Sequence, residues 1–128
     1  MKELKIFDKV KNKGYLISLG QVIHRLEQID TSLIDSEWEI ENGAYGYGKL
    51  ICSIEDDLKD GKKHLIEGEK ILSVLKSEQE YFYHACIKKE GADFEMGIVD
   101  STYLFVRSND DKLIAELRKF FKETIIID

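Results

Sequence analysis

The residues from Asp56 to Glu67 place Asp56 first, Asp60 fifth, Gly61 sixth and Glu67 twelfth, where a calcium-binding EF-hand loop uses carboxylates and a sharp-turn glycine. Leu58 stands third, where that loop needs an oxygen ligand, and the residues before Asp56 carry a strand pattern instead of an entering helix. The stretch therefore reads as an Asp60-Gly61 turn among solvated charges. His84 and Cys86, two apart on one strand face, offer two ligands to zinc or another soft metal, which needs four. Cys52, His24 and His64 add no CxxC or HxxxH spacing, and Phe82 and Cys86 flank His84, so a core or rim histidine is expected. A cysteine nucleophile requires an electropositive, partly exposed setting such as a helix N-terminus. Cys52 and Cys86 sit in apolar, strand-like runs beside isoleucine and read as small buried hydrophobes. No catalytic residue, metal or cofactor is expected.

Glu37, Glu39 and Glu41 alternate with Trp38 and Ile40, so the three carboxylates share the wet face of a strand. At that spacing they repel one another unless solvated or matched by a cationic partner. The glycine-rich run Gly43 to Gly48 lacks the order of a phosphate-binding loop, and acids precede it. Tyr45 and Tyr47 alternate within it; exposed beside an acidic strand they make a hot spot for protein binding, and buried they are core.

The acids are concentrated. From Asp30 to Asp60, nine of them stand against Lys49 and Lys59, a local charge of −7 within a chain of net charge −6. A fold that exposes this segment on one side presents an acidic face, repelling nucleic-acid phosphates and attracting basic partners. Glu55, Asp56 and Asp57 join Glu37, Glu39, Glu41, Tyr45 and Tyr47 as the candidate contact surface. No apolar run approaches the ~20 residues of a membrane-spanning helix, and no apolar signal region follows the charged start. With two unframed cysteines, the reading is a cytoplasmic protein with reduced thiols.

The elements that must position these residues follow from periodicity. Tyr15, Leu16, Leu19, Val22, Ile23, Leu26 and Ile29 recur at helical spacing between Gly14 and Asp30, with His24 on the opposite, solvated side. Glu37–Glu41 reads as a strand, Asn42-Gly43 as a turn, and Lys49–Ile54 as the next strand, pairing with the first. A second helix is expected from about Glu67 to Lys76, then strands over Tyr81–Ile87, Phe94–Val99 and Ser101–Arg107. Ser108-Asn109-Asp110-Asp111 caps a third helix carrying Leu113, Ile114, Leu117, Phe120 and Phe121, and Thr124–Ile127 closes the chain as an edge strand. With 128 residues, no linker and no repeat, the expectation is one α+β domain, a mostly antiparallel sheet of about five strands with three helices largely on one side.

The stretch from Gly97 to Asp110, with the amphipathic helix after it, resembles the closing segment of small bacterial toxin-immunity proteins and uncharacterised bacterial α+β proteins. It covers about a quarter of the chain, and no functional residue carries over by position. The resemblance implies a protein that neutralises a toxin, for instance a nuclease, by occluding it. Two alternatives stand beside that expectation: a small metal-dependent or cysteine/histidine enzyme using His84, Cys86 or the Asp56–Glu67 loop, and a structural module that pairs with itself through Ile125–Ile127.

Overall fold

The structure, a computed structural model, describes residues 1–61 and 64–128, with backbone alone at residue 34. Eight strands and four α-helices are present among the described residues: β1 (Lys2–Ile6), α1 (Leu19–Ile29), β2 (Glu37–Ile40), β3 (Tyr45–Tyr47), α2 (Lys49–Lys59), β4 (His64–Glu67), α3 (Gly68–Ser77), β5 (Tyr81–Lys89), β6 (Phe94–Val99), β7 (Tyr103–Ser108), α4 (Asp111–Arg118) and β8 (Thr124–Ile127). The strands form one antiparallel sheet in the order β4-β2-β5-β6-β7-β1-β8, with β3 also on β5. The α+β class stands; the sheet has more strands than expected and there is one more helix.

Every helix lies on one side. Leu4 and Ile6 of β1, Trp38 and Ile40 of β2, Ala85 and Ile87 of β5, Met96 and Ile98 of β6, and Leu104 and Val106 of β7 form one buried cluster with the apolar stripes of the four helices. Alternation sends the intervening side chains to the opposite face, which no described helix covers. Trp38 is fully buried, edge-on to Phe94 at 5.7 Å, and its indole N–H donates to the Leu33 carbonyl at 3.1 Å. That bond satisfies a polar atom whose burial alone would be costly.

Lys49–Ile54 is the main departure from expectation, since it begins α2 and is not a strand. Its apolar run also fits a helical stripe of Ile51, Ile54 and Leu58, and a distant residue decides between the two. The Glu80 carboxylate accepts the backbone N–H groups of Leu50 and Ile51 at 2.9 and 3.2 Å, capping the first turn where the helix dipole favours a negative charge. Gly48, at φ +126°, makes the entry into α2, and a Cβ there would strike the Glu80 side chain. Cys52 consequently sits exposed on a helix and is not buried in a strand.

Asp56 and Asp57 belong to the last turns of α2, and Glu67 to β4, so the EF-hand spacing is spread over a helix and a strand; Lys62 and Lys63 of that stretch lie outside the described residues. Two strands went unread in the sequence, β1 and β4. The first helix begins at Leu19, where the Ser18 hydroxyl accepts the Gln21 N–H at 3.2 Å, leaving Tyr15 exposed before it. The last helix ends at Arg118, so Phe120 lies beyond its stripe, exposed beneath the Arg25 guanidinium at 4.8 Å.

Candidate functional site

β2 and β3 do not form a hairpin with each other. Both run along the same flank of β5, Trp38 to Ile40 against Lys89 to Ile87, then Tyr45 to Tyr47 against His84 to Tyr81. The residues around Asn42-Gly43 interrupt what would otherwise be one long strand, so the alternating glutamates and tyrosines follow one another along one flank of β5.

The middle of that face is a charge ladder. Strand register sets Glu39, Lys88, Glu95, Arg107 and Glu3 side by side across β2, β5, β6, β7 and β1, alternating in sign. Lys88 Nζ lies 2.6 Å from Glu41 and 3.8 Å from Glu95; Arg107 donates through Nη1 to Glu95 at 2.9 Å and through Nε to Glu3. The guanidinium lies 4.2 Å above the Phe105 ring, which is only 2% exposed although it points away from the helices. Gly97 makes room for that ring, since a Cβ there would come within 2.8 Å of it and 1.9 Å of the Ala85 carbonyl. Such cross-strand pairs contribute about 0.2–1 kcal/mol each, so the ladder is chiefly a structural device.

Cys86 lies half-buried beside the ladder. Burial first, then hydrogen bonding to Glu41 and the charges of Glu41 and Glu95, pushes its thiol up to about 12. A nucleophilic cysteine needs the reverse shift. Burial also raises the Glu41 carboxyl, but bonds from Lys88 and Cys86 and the Lys88 and Arg107 charges outweigh it and hold the group below its ordinary range.

Beyond the ladder, β3 and the start of β5 carry a cluster of aromatic side chains. Tyr47 stacks on Tyr81 at 5.4 Å, Tyr81 meets Tyr83 edge-on at 5.5 Å, Tyr83 lies 5.9 Å from Tyr45, and Tyr45 stacks over His84 at 6.1 Å. All four tyrosines are exposed: 41% at Tyr45, 57% at Tyr47, 40% at Tyr81 and 39% at Tyr83. A bulge puts them together. The pairing jumps from Tyr45↔His84 to Gly46↔Phe82, skipping Tyr83, so Phe82 and Ala85 both reach the core while Tyr81, Tyr83 and His84 stay outside. Gly46 permits the close approach, because a Cβ there would lie 2.2 Å from the Tyr81 carbonyl.

The β6–β7 turn locks this end. Asp100 and Ser101 take left-handed φ values of 45° and 57°, and the Ser101 N–H donates to the Tyr83 carbonyl at 2.8 Å. The Tyr45 hydroxyl donates to Asp100 Oδ1 at 3.0 Å, a bond that holds its pKa above the ordinary tyrosine range. His84 Nδ1 accepts the Asp100 N–H at 3.3 Å and also lies 3.4 Å from Asp100 Oδ1, so it has a partner whether neutral or protonated.

Of the eight residues singled out in the sequence, Glu37, Glu39, Glu41, Tyr45 and Tyr47 belong to this face. Glu55, Asp56 and Asp57 do not: α2 lies in the helical layer, and Asp57 there engages His64 Nδ1 at 3.0 Å, His64 being in register with inward-facing Ile40. Tyr81, Tyr83 and Asp100 also join this face, and His84 shares it with Cys86 as their spacing of two requires. Among the described residues no three His, Cys, Asp or Glu side chains gather as metal ligands, and His84 and Cys86 face Asp100 and the two glutamates respectively. No described helix is long and apolar enough to cross a membrane. No family model, curated relative or solved structure matches the chain. The functional reading rests on the uncovered face itself.

Proposed function

We propose that the chain is a protein-binding domain of the immunity or antitoxin type, which occludes a basic partner such as a nuclease toxin with the uncovered face of its sheet. The observation that carries this reading is the set of four exposed tyrosines in mutual ring contact beside the acidic strand β2. Tyrosine brings a large, rigid, amphipathic contact area at low entropic cost and is enriched where binding energy concentrates. Here the rings are held in place before any partner arrives, by one another, by the bulge and by Asp100. Glu37, Glu39 and Glu41 supply charge complementary to the basic surface that a phosphate-handling enzyme presents, favouring fast encounter more than raw affinity.

The test is titration of the protein against a panel of basic toxin domains, nucleases first, by calorimetry and by inhibition of their activity. Tyr47→Ala/Tyr81→Ala is expected to weaken binding by about 2 kcal/mol or more, roughly 30-fold. Glu37→Lys/Glu39→Lys should slow association and flatten its salt dependence while leaving dissociation nearly unchanged. Unchanged affinity in the folded double tyrosine variant would remove the proposed surface.

A further inference from the structure

We propose that the free edge of β8 pairs with β8 of a second copy of this chain, antiparallel about a two-fold axis through Ile126, so that two sheets continue as one. β8 terminates the sheet, with β1 on one side and no described strand on the other. Its hydrogen-bonding phase is fixed by one contact: the Phe7 N–H donates to the Glu123 carbonyl at 2.8 Å. Antiparallel ladders alternate, so Ile125 and Ile127, opposite Lys5 and Glu3, also turn their backbone groups toward β1, while Thr124 and Ile126 turn theirs outward. The outward groups are an open template for another strand.

The side chains favour self-pairing in one register. With the axis through Ile126, Ile126 of the two copies forms the central hydrogen-bonded pair, and Ile125 of each copy lies opposite Ile127 of the other. Those two side chains are 51% and 43% exposed on the uncovered face, an apolar pair that the second copy would cover. Moving the axis to Ile125 would set Glu123 opposite Ile127 instead, burying an acid against an isoleucine. A one-residue slip would mismatch both the faces and the bonding phase. The edge also lacks the usual protections, since Ile125 to Ile127 contains no charge, proline or bulge. By contrast, β4 at the opposite edge carries His64 and Glu67, the latter facing Glu37. Lys2, 3.8 Å from Asp128, offsets the acid at the end of the pairing.

An edge this short buries less than the ~1,200 Å² of a standard stable interface, so the dimer is concentration-dependent. It leaves the tyrosine cluster open, because β6, β7 and β1 separate β5 from β8. Sedimentation equilibrium from about 10 μM to about 1 mM tests it, at concentrations that bracket weak association. The wild-type mass is expected to rise above the monomer's 14.8 kDa across that range. Ile125→Lys/Ile127→Lys should hold the monomer mass throughout. Thr124→Pro removes an outward N–H without touching the β1 ladder and should do the same. A wild-type monomer mass at every concentration, or a dimer persisting in the folded variants, overturns the proposal. In a Cys52→Ser background, Ile125→Cys/Ile127→Cys should form an intermolecular disulfide, since non-hydrogen-bonded pairs approach to Cα distances of about 4.5 Å. Efficient cross-linking of Ile125→Cys alone would refute the axis at Ile126.

Discussion

The chemical silence of Cys86 can be measured directly. Its thiol is pushed up to about 12 by burial and by Glu41 and Glu95. At pH 7.5 an ordinary thiol of pKa about 8.5 is roughly 10% ionised. A thiol at about 12 is ionised about three-thousandfold less, but its thiolate is the stronger nucleophile, and a Brønsted coefficient of about 0.4–0.5 returns roughly 25- to 55-fold. The net expectation is a reaction with a disulfide reagent about a hundredfold slower than that of a free cysteine thiol. Stopped-flow DTNB kinetics on Cys52→Ser isolates Cys86 from the exposed thiol on α2. Glu41→Gln removes a raising bond and charge, so it should accelerate the reaction, by a factor that stays the same at every pH well below the thiol's pKa. A Cys86 rate within about threefold of free cysteine, on folded protein, would refute the reasoning that places the thiol under two carboxylates.

Other consequences follow from the packing and the charges. Gly97→Ala forces a methyl against the Ala85 carbonyl and the Phe105 ring and is expected to cost about 3 kcal/mol or more in urea unfolding. Glu80→Ala strips the cap from α2 and should cost about 1–2 kcal/mol, with amide exchange at Leu50 and Ile51 accelerated more than that at Ile87. The Glu41 carboxyl lies below its ordinary value in the fold, so the stability it contributes is present above the unfolded-state pKa of about 4.3 and lost as pH falls through the folded one. Unfolding free energies from pH 6 to pH 3 should therefore decline less steeply in Lys88→Met than in the wild type.

The parts of this fold legible in the sequence were those whose burial pattern is local. Trp38 and Ile40 alternate with glutamates and face inward as expected, and the stripes of α1, α3 and α4 mark their helices. What could not be read depends on residues remote in the chain. The sequence of Lys49–Ile54 suits either a strand or a helix, and the choice falls to Glu80, thirty positions from Leu50. β1 is short and charged, and it becomes a strand by filling the place between β7 and β8. Tyr45 and Tyr47 were visible as a candidate site, but Tyr81 and Tyr83 were not, because the bulge that turns them out together with His84 arises from pairing with β3 and leaves no local signal. The acidic segment divides between the two layers at Gly48, where the chain leaves the sheet for α2, so its charge is not presented on one side.

The bulge at Tyr83 has a further consequence. It acts as a phase shifter: residues before it on β5 run one step out of phase with Ala85 and Ile87 after it. Were the bulge straightened with every residue kept, the faces of Tyr81 and Phe82 would exchange, turning an aromatic ring out to water and a phenol into the core. While it is present, β5 is mechanically two strands in one: Ala85 and Ile87 face the core in one phase, and Phe82 does so in the other, between the exposed Tyr81 and Tyr83. Substitutions at Tyr81 and Tyr47 therefore change the exposed aromatic surface without disturbing the packing of Ile87.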